Sequence, residues 1–326
     1  MTDGVLIIDK AEGWTSHDVV ARARRLLRER RIGHTGTLDP FATGVLVLLV
    51  GRATRLAQFL AGDFKEYEAV IRLGYATETG DLTGARRTRP AEAELTAAEN
   101  CSHLDAARIE AALSGLRGRI EQTPPMYSAK KIGGRKLYEL ARRGEEVARA
   151  AVPVVVEAFD IIARGENDDP LVRHADGTCD FSARVRCSAG TYVRALAESV
   201  GEALKTGAHL AALRRTRAGD FHLRDALTLA GLETKLSEGA TLDEILLPLD
   251  AALSRMPEVH LTAGEAARAR HGAFVPVEGA RRAGLADGLP VRLLDEARRL
   301  IAVSIYDESA RNLRPRVMLA SEENKH

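Results

Sequence analysis

Three cysteines among 326 residues are too few for a disulfide framework. Cys101, Cys179 and Cys187 are scattered, with neither a CxxC pair nor histidines at zinc spacing, so free thiols and no metal site are expected. Long apolar runs are also missing; the longest fall far short of a membrane span, and no membrane partner is expected. The beginning of the chain carries no signal-peptide pattern, which makes cytoplasmic residence the expectation. Charge of one sign is lacking too: the net charge is +1, so bulk composition does not point to a polyanionic partner. There is no internal repeat and no low-complexity tract. The remainder is ordinary for a globular protein, 45% hydrophobic and long enough for two domains.

The distribution of charge says more than its sum. Arg22, Arg24, Arg25, Arg28, Arg30 and Arg31 stand against Glu29 alone, and Arg214, Arg215 and Arg217 form a second cluster. A basic face by itself is often only solvated. Two clusters in a nearly neutral chain suggest a segregated positive surface, as nucleic-acid binding requires.

Between Gly33 and Gly44, twelve residues hold His34, Thr35, Thr37, Asp39, Pro40 and Thr43, punctuated by a third glycine, Gly36. This pattern predicts a shaped loop, where catalytic groups tend to sit. The apolar run Val45–Val50 after it suits a strand buried on both faces, which would hold the loop rigidly. For an isolated Asp-Pro the plainer reading is a turn whose Asp caps its own backbone.

Elsewhere, Gly4–Lys10 reads as a strand, and Thr15 or Ser16 as the N-cap of a helix running through Arg30. Lys65–Leu73 reads as a strand with Tyr67 near its start, where an aromatic is more often packing than function. Pro90 to Leu116 reads as a solvated helix, Val152–Ile162 and Phe181–Cys187 as strands, and Ala195–Leu204 as a helix. Arg194 at that helix start is poorly placed for the dipole and calls for an acidic partner. From about Pro257 short β-like pieces suggest a separate small β-rich domain.

In these segments the chain resembles the bacterial TruB family of tRNA pseudouridine synthases. The match runs through Val5–Val20, Gly33–Leu46, Thr77–Gly84, Pro125–Leu140 and Gly190–Arg215, in the family's order. The C-terminal piece resembles, more loosely, the PUA module attached to this family. Ala11 departs from the family's usual Pro, and residues 165–177 form a longer charged segment with no assigned role. The resemblance implies an α/β (α+β) fold with a mixed, largely antiparallel sheet flanked by helices and loops. It further implies a catalytic domain over residues 1–250 and a PUA-like RNA-binding domain over 251–326. The implied activity is isomerisation of uridine 55 in the T loop of tRNA to pseudouridine by base flipping, with no cofactor or metal. A tRNA-folding role could accompany it, and a monomer is expected.

Position by position, the resemblance makes Asp39 the nucleophile, Arg194 the partner of its carboxylate, and Tyr67 the aromatic stacked on the target base. His34 matches the residue that fills the space of the flipped uridine, Leu213 a wall of the pocket, and Tyr192 belongs to the same motif. Arg22, Arg25, Arg214 and Arg215 would grip phosphates, setting register without reading sequence. Lys10, Thr15 and Tyr127 read as support, and His17, His103 and His209 as having no functional partner. Two other classes stay in view. One is an RNA-binding module without catalysis, against which Asp39 and Arg194 both being present argues. The other is a carboxylate-nucleophile hydrolase, which needs a second carboxylate that the loop does not offer.

Overall fold

The computed structural model describes residues 3–62, 64–87, 101–128, 130–162, 170–278 and 284–319. The order of strands is β1 (Gly4–Lys10), β2 (Ile32–His34), β3 (Thr43–Val50), β4 (Lys65–Leu73), β5 (Gly118–Gln122), β6 (Lys131–Ile132), β7 (Arg135–Lys136), β8 (Val152–Ile161), β9 (Leu171–Arg173), β10 (Cys179–Cys187), β11 (Ala208–Ala218) and β12 (Phe221–His222). Ten of these form one sheet with the path β1-β3-β11-β4-β10-β8-β5; β2 and β12 flank β3 and β11, and β9 flanks β10. The β6–β7 hairpin stands apart. Pairing is antiparallel except where β11 runs parallel to β3, so the sheet is mixed and largely antiparallel, as the family resemblance implies. A second sheet, β13 (Glu258–His260), β14 (Val275–Pro276), β15 (Pro290–Leu294), β16 (Leu300–Asp307) and β17 (Asn312–Met318), has the order β13-β15-β16-β17-β14.

From Val45 to Val50 strand β3 is apolar because it separates two cores. Leu46, Leu48 and Val50 join the main cluster. Val45, Val47 and Leu49 point the other way, into a cluster with Val303 and Val317 of the second sheet and Leu319 just after it. Side chains alternating across a strand buried on both faces need no polar positions. Gly44 is required at its start: φ is +98°, and a Cβ there would collide with the backbone of Arg215 across the parallel pairing.

The helix α1 spans Ser16–Leu27, shorter than the sequence suggested. Thr15 caps it in a reciprocal box with Asp18, and Val19, Val20, Ala23 and Leu27 are its buried stripe. Arg28 takes a left-handed conformation (φ 52°) and ends the helix, so Arg30 and Arg31 lead into β2 instead of extending it. Strand β11 was not anticipated. Two register shifts break its alternation, and its basic run lacks the apolar signature of a central strand. Of the helix expected from Pro90, residues 90–100 lie outside the described residues and the rest gives Ala106–Ser114. Of the charged segment 165–177, residues 165–169 lie outside them; the remainder forms β9 and the turn into β10.

Candidate active site

The loop between β2 and β3 is held from three sides. From α1, Ser16 Oγ receives the Leu38 amide at 2.9 Å and donates to the Leu38 carbonyl at 3.1 Å. From β1, Lys10 Nζ donates to the carbonyls of Ala11 (3.0 Å), Trp14 (2.7 Å) and Pro40 (3.1 Å), and the Gly13 amide also donates to Pro40 at 2.8 Å. From β11, Arg215 Nε donates to Val45 at 2.7 Å and Nη2 to Gly36 at 3.1 Å. Leu38, Phe41 and Ala42 anchor the loop in the core. Asp39, between two anchored neighbours, keeps about a third of its side chain exposed (35%).

Arg194 meets that carboxylate. It sits in the first turn of the helix Val193–Leu204, and its Nε lies 2.9 Å from Asp39 Oδ2. Its other nitrogens donate to the carbonyls of Thr79 and Tyr127, both at 2.7 Å. A guanidinium with every edge committed is held in plane, which a lysine could not reproduce. Gly80 (φ +73°) makes room for it, since a Cβ there would sit 3.3 Å from Arg194 Cβ. The helix start is itself positioned by Gln122 of β5, whose side chain exchanges two hydrogen bonds with the Tyr192 backbone.

A cavity of about 280 Å³ opens over this pair. Asp39, Arg194, Tyr67, Tyr192, Leu213 and Arg215 are among its walls. Tyr67 lies opposite Arg215 in the β4–β11 register and is buried. Burial pushes the Tyr67 phenol above its ordinary pKa, with the Arg215 guanidinium pulling the other way. Burial likewise raises Asp39 above the usual carboxylate value; Arg194 opposes this, Asp81 adds to it, and Lys10 pulls back weakly. Desolvation thus outweighs the neighbouring guanidinium. Lys10, fully buried, is lowered to about 8 chiefly by desolvation.

The remaining candidates divide. His34 ends β2 next to Thr35, a cavity residue, and packs edge-on against His17 with ring centroids 5.7 Å apart. This gives His17 a ring neighbour but no partner at ligand spacing among the described residues. Arg25 is exposed at the basic end of α1. Arg22 is instead bound by both oxygens of Glu233 (2.7 and 2.6 Å), and Arg214 by Asp9 (2.7 Å) and Thr43 (3.2 Å). Arg215 does not fit a phosphate grip. It is 2% exposed and spends its donors on the loop carbonyls. Its side chain lies under the loop and in the cavity wall, not on the outer surface. The sequence analysis also missed Asp81, which is buried and whose Oδ1 accepts from Thr79 Oγ (2.8 Å), Thr83 N (2.9 Å) and Thr83 Oγ (2.6 Å). These bonds tie Asp81 to its own loop through Oδ1. The threonines crowding the Thr77–Gly84 loop were the signal for it. Among the described residues no group of His, Cys, Asp and Glu is arranged to hold a metal ion, and no helix is long and apolar enough to cross a membrane.

Comparison with known proteins places this geometry in a class. Residues 24–193 match the N-terminal domain of TruB family pseudouridylate synthases, and residues 194–254 the C-terminal domain of tRNA pseudouridylate synthase B. The tRNA pseudouridine synthase B of Thermobifida fusca (strain YX) is 45% identical over 281 residues, 86% of this chain and 88% of that protein. The protein of the same name from Mycobacterium bovis (strain BCG / Pasteur 1173P2) is 41% identical over 306 residues, covering 93% and 95%. A solved Cbf5–Nop10–Gar1 complex contains a chain of the same fold, with TM-score 0.68 and 26% identity, over 97% of this chain and 84% of that one. An H/ACA RNP bound to a substrate RNA containing 2′-deoxyuridine shares the fold at TM-score 0.70 and 24% identity, over 98% and 86%.

Fold and sequence together define a pseudouridine synthase, an isomerase. Within that class the chain belongs to the TruB family. Arg194 is the first residue of the second matched domain, so the ion pair with Asp39 joins the two matched parts.

Proposed function

We propose that this chain converts uridine 55 in the T loop of tRNA to pseudouridine, with Asp39 as the nucleophile. The observation that carries the reading is the Arg194–Asp39 ion pair at the wall of a cavity that Tyr67 and Leu213 also line. The relatives' names, tRNA pseudouridine synthase B, support tRNA as the substrate.

The reaction breaks the N1–C1′ bond, turns the detached uracil, and forms C5–C1′ with loss of the C5 proton. A carboxylate holds one fragment meanwhile, by attack on ribose C1′ or on base C6. Arg194 keeps Asp39 ionised against the cost of burial and fixes its direction. Tyr67 is the platform for the everted base, and Leu213 the apolar wall that keeps the fragment from bulk water. Stacking on an aromatic contributes on the order of 1–3 kcal/mol. Unstacking a loop nucleotide costs a few kcal/mol, which insertion of His34 into the vacated place would offset in part. Arg25 and its exposed neighbours Arg28 and Arg30 then supply phosphate contacts. Residues 1–250 act as the catalytic domain and 251–326 as a PUA-like RNA-binding domain, in a monomer.

The test uses a T-arm stem-loop transcript with the wild-type chain and with Asp39→Asn. Pseudouridine at the target with the first and none with the second is expected. Equal product from both removes Asp39 from its role, and product at another uridine removes the site assignment.

A further inference from the structure

One wall of the cavity holds a hydroxyl that the account so far does not use. Ser128 is 5% exposed and lines the same cavity as Asp39, Tyr67 and Arg194. Its Oγ makes no hydrogen bond among the described residues. The backbone of the same residue is fully engaged: its amide donates to Met126 at 2.9 Å, and its carbonyl accepts from Tyr138 at 3.1 Å. The carbonyl just before it, on Tyr127, takes Arg194 Nη2. The position of Ser128 is thus set by bonds in which its hydroxyl has no part. Buried hydroxyls are paired as a rule, and one left unpaired in a residue that lines the cavity over Asp39 points to a partner that arrives with the substrate.

We propose that Ser128 is a substrate-contact residue whose Oγ–H donates to a carbonyl oxygen of the everted uracil. This rests on the pseudouridine-synthase reading above and adds a group to it. The geometry of the reaction favours such a donor. Turning the uracil about its N3–C6 axis brings C5 to the place of N1, as the new bond requires. The same turn exchanges the places of O2 and O4. A hydroxyl fixed in the wall therefore meets a carbonyl oxygen both before N1–C1′ is lost and after C5–C1′ is poised to form. It steadies the ring at both ends of the turn without taking part in bond making, and a rotatable O–H adjusts to the small difference between them.

Single-turnover rates on T-arm stem-loop RNA with uridine, 2-thiouridine or 4-thiouridine at the target test this, using wild type and Ser128→Ala. A thiocarbonyl is a poor acceptor, so each thio substitution deletes the contact from the RNA side. Ser128→Ala is expected to slow uridine conversion about tenfold, as loss of one hydrogen bond predicts, with RNA affinity unchanged within about twofold. The penalty for each thio substitution, measured against uridine, is expected to shrink in the variant, because the contact is already gone. Removing an unpaired hydroxyl should leave Tm at or above that of wild type. An unchanged rate overturns the proposal. So do thio penalties as large in Ser128→Ala as in wild type, the result a merely misplaced loop would give. Absence of pseudouridine with wild type and every RNA removes the functional reading itself; activity with uncoupled penalties removes only the Ser128 contact.

Discussion

Arg194 Nε and Asp39 Oδ2 lie 2.9 Å apart although one belongs to a loop near the start of the chain and the other to a helix long after it. Burial raises the Asp39 pKa and Arg194 opposes the rise. The proposed role of Asp39 as nucleophile requires its charged form, so activity is expected to fall as pH drops through a value above the ordinary carboxylate range. Replacing Arg194 by Gln removes the opposing charge and should move this acid limb to still higher pH. Arg194→Lys keeps a charge but loses the planar fork, and should cost about a hundredfold or more in rate. Single-turnover rates against pH for the three proteins check both statements.

The alkaline side should report on Lys10. Its pKa of about 8 lies well below the usual lysine value because it is buried. As pH rises through this value the ammonium is lost, and with it the charge that grips the carbonyls of Ala11, Trp14 and Pro40 next to Asp39. Activity should decline there. Lys10→Arg, which stays charged, should shift the decline upward, and a profile that Lys10→Arg leaves unmoved would detach Lys10 from it.

Arg215 and Arg25 should behave oppositely. Arg215→Ala strips buried donors from Val45 and Gly36 and should cost about 2–4 kcal/mol of stability, read by denaturant unfolding. Arg25→Ala touches an exposed side chain. It should leave unfolding unchanged and lower the slope of log affinity against log salt by about 1.

Arg22 is held by Glu233 on the exterior, and such exposed pairs contribute roughly 0–1 kcal/mol. Glu233→Gln should therefore barely change stability while freeing Arg22 for phosphate. Tighter RNA binding at low salt is the expected result of a salt titration, and unchanged binding would leave Arg22 outside the interface.

The chain's own order of residues determined a good deal. The run Val45–Val50 suited a strand covered on both faces, because any exposed position would leave a bulky apolar side chain in water, and the structure makes it one. Thr15 or Ser16 announced a helix start, and the Gly33–Gly44 loop announced itself by its glycines and hydroxyls. Arg194 at a helix start advertised the need for an acid. Local sequence could not decide how the basic residues would be spent. Arg214 and Arg215 are neighbours of identical chemistry, yet alternation along β11 turns one toward Asp9 and buries the other under the loop. Their register was invisible in a strand interrupted by two bulges. The ionisation of Asp39 was likewise beyond one-dimensional reading. It depends on how completely water is excluded, and that is settled by elements from β1, β11 and the helix Val193–Leu204 closing around a single carboxylate.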